Sequence, residues 1–114
     1  MDDADALRAR LAEARDRAQR ALSAREAELG RLSEARGDAT GDDEHDPEGA
    51  TLADEWSRLT GLAAAARTEL AEIDVALARV DAGWDGRCEV CGEPIPAERL
   101  TVRPTAVRCV GCAA

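Results

Sequence analysis

The chain has 114 residues, enough for one domain or for one domain with a small attachment, and among them are no Phe, no Tyr and only two Trp, Trp56 and Trp84. Without aromatic bulk a thick globular core is excluded, and the dominance of Ala, Leu and Arg points to long helices packed in thin layers. Acidic residues outnumber basic ones 24 to 15, and the net charge of −9 argues against a general surface for a nucleic-acid backbone.

The opening MDDADALRAR is acidic and lacks the apolar core of a secretory leader, and no apolar run approaches a membrane span. A soluble, cytoplasmic chain is expected. From Leu7 the apolar residues fall at Leu7, Leu11, Ala14, Ala18, Leu22, Leu29 and Leu32. Steps of three and four put them on one face of a helix over about 4–36. Arg25 interrupts that face, its stem able to lie along apolar surface with the guanidinium at the edge. Gly30 weakens the last turns.

Next comes GDATGDDEHDPEG, Gly37 to Gly49, with three Gly, one Pro and six acids. This composition reads as a loop. Asp46-Pro47 suits a helix start, with Asp as the cap and Pro at the first helical position; Thr51 followed by Asp54 is a competing start one turn later. The second helix, about 47–82, carries Leu52, Trp56, Leu59, Ala63, Ala66, Leu70, Ile73, Leu77 and Val80. Its steps alternate four and three, a heptad seam. Gly61 is its weak point. Two helices of about 30 residues joined by one loop fold back most simply as an antiparallel hairpin of roughly 45 Å, with the acidic loop (37–49) at its tip. Neither would be stable alone, so packing of the two faces must offset the chain entropy.

Every cysteine lies in the last stretch, RCEVCGEPIPAERLTVRPTAVRCVGC. Cys88-x2-Cys91, seventeen residues, then Cys109-x2-Cys112 is the spacing of a tetrahedral zinc site. Four thiolates leave no place for water, so a single zinc ion here is structural. Two redox dithiols fit less well, because no strand–helix alternation surrounds either pair. Gly92 and Gly111 are expected to allow tight turns at the sulfurs. The few apolar residues of the segment need the metal as their core. Its four arginines do not outweigh its three acids once the zinc–thiolate centre adds its own negative charge, so direct DNA binding is not expected. Trp56 falls in the seam as a packing residue, and Trp84, at the helix–finger junction, is expected to pack the finger against the base of the hairpin. The chain has no phosphate loop, no Ser/His/Asp set and one His, so it is not expected to be an enzyme. The residues thus predict a mainly α protein: an antiparallel two-helix coiled-coil hairpin over 1–82 and a small C-terminal four-cysteine zinc finger over 83–114.

The finger resembles that of the DksA/TraR family of bacterial RNA polymerase-binding regulators. The shared pattern is carried by Gly86, Cys88, Cys91, Gly92, Ile95, Arg99, Leu100, Arg103, Pro104, Ala106, Cys109 and Cys112. The resemblance implies a monomer that inserts a helical hairpin into the secondary channel of RNA polymerase. There the acidic tip alters the stability of promoter complexes, often alongside ppGpp in the stringent response. The contacting tip would comprise Asp42, Asp43, Glu44, His45, Asp46, Glu48 and Ala50. The family tip often reads Asp-x2-Asp-x-Ala. Aligned on Ala50, this chain has Glu48 for one acid and His45 for the other, with Asp43 or Asp46 offering charge beside it. Family members commonly continue into a C-terminal helix that helps grip the polymerase. This sequence ends two residues past Cys112, so weaker binding or different contacts are expected. DDEHDPEGAT ahead of a helix resembles a subgroup common in high-GC Gram-positive bacteria, which fits the absence of Lys.

Overall fold

A computed structural model describes residues 3–38 and 47–113, with side chains described over 3–35 and 51–113. Helix α1 is Asp3–Asp38 and α2 is Pro47–Asp81; a short α3, Ala97–Val102, and one 3₁₀ turn, Val110–Cys112, follow. No strand occurs among the described residues, only an isolated antiparallel bridge between Arg87 and Pro94. The fold is mainly α: two long helices that pack together, and a four-cysteine finger. The Asp46 cap lies outside the described residues. No described helix is long and apolar enough to cross a membrane.

Two compact units divide the chain. One takes the chain up to Arg17 and from Glu69 onward; the other is Ala18–Thr68. In the first, Leu7, Leu11 and Ala14 of α1 are buried, as are Leu70, Ile73, Ala76 and Val80 of α2 and Cys88, Ile95 and Leu100 of the finger. Arg8 Nε reaches Asp81 Oδ1 at 3.1 Å and Arg15 Nε reaches Asp74 Oδ1 at 2.7 Å. As α1 advances from 8 to 15, α2 retreats from 81 to 74, so the helices run antiparallel here. Both pairs are exposed, and such pairs mark register more than they stabilise.

In the second unit the buried set is Ala18, Leu22, Leu59, Ala63 and Ala66. Three of these five are alanines, whose small side chains keep this layer thin. Arg25 lies half-buried; its Nη2 pairs with Glu28 Oε1 at 2.7 Å, while its buried Nε has no partner. A Cβ added at Gly61 would meet nothing within 4 Å. Gly61 is therefore a backbone-entropy cost with no packing role, and Gly61→Ala is expected to stabilise the protein by about 1 kcal/mol in urea unfolding.

The strict heptad assigns Leu77 to the seam, but the fully buried residue is Ala76 and Leu77 is half-buried. Both flank the line from Ile73 to Val80. A helix of 3.6 residues per turn does not keep a 3.5-residue repeat centred, and here the smaller flank turns inward.

Helix α2 ends in a Schellman motif. The Gly83 amide donates to the Val80 carbonyl at 3.0 Å and the Trp84 amide to the Arg79 carbonyl at 3.0 Å, with Gly83 at φ 103°. That turn places Trp84 beneath the guanidinium of Arg79, 5.7 Å from the ring centroid, with its Nε1 donating to the Arg87 carbonyl at 3.2 Å. Trp84 shares the wall of one small cavity with Leu7 of α1 and with Ile95 and Leu100 of the finger.

Candidate metal centre

The first cysteine pair sits on a tight loop closed by backbone bonds. Cys88 N–H donates to the Glu93 carbonyl at 2.8 Å, Ile95 N–H to the Gly86 carbonyl at 2.8 Å, and Gly92 N–H to the Cys88 carbonyl at 3.0 Å. Gly92 has φ 76°, which a residue with a Cβ rarely adopts. The second pair brackets the 3₁₀ turn, closed by Cys112 N–H on the Cys109 carbonyl at 3.1 Å. Gly111 lies within that tight turn, as expected, but without the positive φ of Gly92. One backbone bond ties the halves together: Glu89 N–H donates to the Val107 carbonyl at 2.9 Å.

All four cysteines are unbridged, and their Sγ atoms lie within 4.8 Å of one another. The Cys91 and Cys109 sulfurs are 3.8 Å apart. Tetrahedral Zn–S bonds of about 2.3 Å would separate their sulfurs by about 3.8 Å, so the donor set fits one zinc ion. Cys88 is buried, Cys109 and Cys112 half-buried, and Cys91 exposed.

The electrostatics fit the same ion. Backbone N–H groups of Cys91, Cys109 and Val90 hold the Cys88 thiol down at about 6 against the effect of burial; the Val90 amide lies 3.4 Å from its sulfur. The Cys109 sulfur, followed by Cys88, burial and Cys91, pushes Cys112 up to about 12. At Cys91 the Glu93 backbone favours the thiolate, but Cys88, burial and Cys109 outweigh it and the thiol lies above its ordinary value. Four thiols this close cannot all ionise unless a cation takes up their charge. Zinc supplies that charge and a rigid centre; with four sulfur ligands it has no open coordination site for chemistry.

Of the acidic tip, Asp42, Asp43, Glu44, His45 and Asp46 lie outside the described residues. Glu48 and Ala50 are in the first turn of α2, their side chains also undescribed. The structure does bring together arginines scattered through the sequence. Arg79 of α2 and Arg99, Arg103 and Arg108 of the finger line one open cleft of about 520 Å³, with Glu72 and Val75 on its α2 side. Arg79, twenty residues upstream of Arg99, gives no local signal of joining the three finger arginines.

A closed four-thiolate centre next to a pair of long helices defines a C4-type zinc-finger protein with a helical body. Residues 82–114 match the prokaryotic dksA/traR C4-type zinc finger. The RNA polymerase-binding transcription factor DksA of Caulobacter vibrioides is 45% identical over 67 residues, covering 54% of this chain and 47% of that protein. An uncharacterized protein of Aquifex aeolicus is 48% identical over 44 residues, covering 39% of this chain and 30% of that one. The matches thus span half or less of each relative's length. Among solved structures, transcription factor DksA2 from Pseudomonas aeruginosa superposes with a TM-score of 0.78 at 28% identity, over 95% of this chain and 78% of that one.

Proposed function

We propose that this protein is a transcription regulator that binds RNA polymerase and inserts its acidic inter-helix segment into the secondary channel to modulate initiation. The observation that carries the reading is the likeness to DksA2 over 95% of the chain, joined to a finger of the dksA/traR kind. The physical logic is electrostatic. A strongly acidic segment is drawn to a basic, metal-bearing channel, and complementary charge speeds encounter and sets orientation. The working residues are Asp42, Asp43, Glu44, His45, Asp46, Glu48 and Ala50. The zinc centre is structural, and no covalent chemistry is assigned to the regulator. The protein acts as a cytoplasmic monomer, without direct DNA binding. Where ppGpp takes part at the shared interface, the cleft lined by Arg79, Arg99, Arg103 and Arg108 is the surface whose charge suits a polyphosphate.

The test is run-off transcription with purified RNA polymerase and the triple variant Asp43→Ala, Asp46→Ala, Glu48→Ala. The expected outcome is polymerase binding largely kept and the transcriptional effect lost. An unchanged transcriptional effect would remove the tip from the mechanism.

A further inference from the structure

The cysteine pairs lie on separate loops, so their spacing must be fixed by something other than the sulfurs. One cross-link joins the loops directly. Arg108, next to Cys109, donates from Nε to Oε1 of Glu89, between Cys88 and Cys91, at 2.8 Å. This adds a side-chain tie to the Glu89–Val107 backbone bond. A second contact comes from outside both loops. Arg99 of α3 donates from Nε to the Arg108 carbonyl at 2.7 Å. Its neighbour Leu100 is buried in the core of the same unit, and the Arg99 carbonyl accepts from Arg103 N–H at 2.7 Å. Arg99 is therefore held by packing on one side and grips the backbone immediately before Cys109 on the other.

We propose that Arg99 is a positioning residue for the zinc centre: its guanidinium anchors the Arg108 carbonyl to α3 and, through the Arg108–Glu89 link, sets the separation of the two cysteine pairs before metal arrives. The chemistry suits the task. A guanidinium stays charged at any working pH, its planar donors fix direction as well as distance, and charged donors make the stronger hydrogen bonds. Donors that are held in place before the ion binds need not be ordered by it, and partners one shell out from the ligands commonly tune metal affinity.

The test uses the full chain without polymerase, so its outcome is independent of the transcriptional reading. Zinc affinity is measured by competition with a chromophoric chelator, and ligand geometry by the absorption bands of the Co²⁺-substituted protein. Arg99→Ala is expected to raise the apparent zinc Kd about 10- to 100-fold and to shift or weaken the Co²⁺ bands. Arg99→Lys, which keeps the charge but not the planar fork, is expected to fall between Arg99→Ala and the wild type. Val102→Ala, on the same short helix and 81% exposed, serves as the control and should match the wild type. A purely structural role for Arg99 would lower the melting temperature of the zinc-loaded protein yet leave Kd and Co²⁺ spectrum at wild-type values, and that result overturns the proposal. Should Arg99→Ala lose helical circular dichroism, Glu89→Gln decides instead. It removes only the charged cross-link at an exposed site; a raised Kd supports the proposal and wild-type affinity overturns it.

Discussion

Stripping zinc with a chelator, or replacing Cys109 by Ser, is expected to collapse the finger while most of the helical signal survives. The finger contributes few buried residues of its own, Cys88, Ile95 and Leu100. Its regular structure is one six-residue helix, one 3₁₀ turn and one isolated bridge. Segments this small do not offset their chain entropy without the metal, so metal binding supplies most of their folding free energy. Helices α1 and α2, at 36 and 35 residues, also bury Ala18, Leu22, Leu59, Ala63 and Ala66 in the unit that does not include the finger. Amide-resolved NMR distinguishes the outcomes. Resonances of 86–112 should lose dispersion, those of 18–35 and 51–68 should persist, and the helix ends that share the finger's unit should lose part of their protection. Loss of all helical signal, or a finger spectrum indifferent to chelation, would contradict this.

The second large effect is in the seam. Ile73 is 1% exposed, and Ile73→Ala should cost about 2–5 kcal/mol in urea unfolding, from lost transfer free energy and the cavity left behind. Against a typical total of about 5–15 kcal/mol this removes a large share of the stability. Leu77→Ala provides the internal comparison. A strict heptad makes Leu77 a core residue equal to Ile73; the structure leaves it half-buried with Ala76 inward. A clearly smaller loss at Leu77 is expected. Equal losses would restore the strict heptad register.

These examples show what a single sequence displays and what it hides. Leu7, Leu11, Ala14, Ala18 and Leu22 were legible because burial on one helix face is a local, periodic property. The cysteine cluster was legible because a two-residue gap has few geometric solutions around one ion. The choice between Ala76 and Leu77 was hidden, since both flank the same line and only packing breaks the tie. The Schellman end at Gly83 was within reach, as a glycine just past the last periodic residue is its usual mark, whereas Gly111 carried the same residue type without the conformation. Contacts between distant positions left no local trace. Neither the grip of Arg99 on the Arg108 carbonyl nor the gathering of Arg79 with the finger arginines has a periodic signature. Trp84 is the exception: its place at the helix–finger junction marked it as a contact between finger and helix, and it lines one cavity with Leu7 and Leu100.

Polymerase binding is tested most directly by titrating the zinc-loaded protein against purified RNA polymerase on a biosensor, with a DksA protein as competitor. Saturable binding that the competitor displaces is predicted, because both would occupy the same channel. The absence of binding at micromolar polymerase, or binding that the competitor leaves untouched, would contradict it.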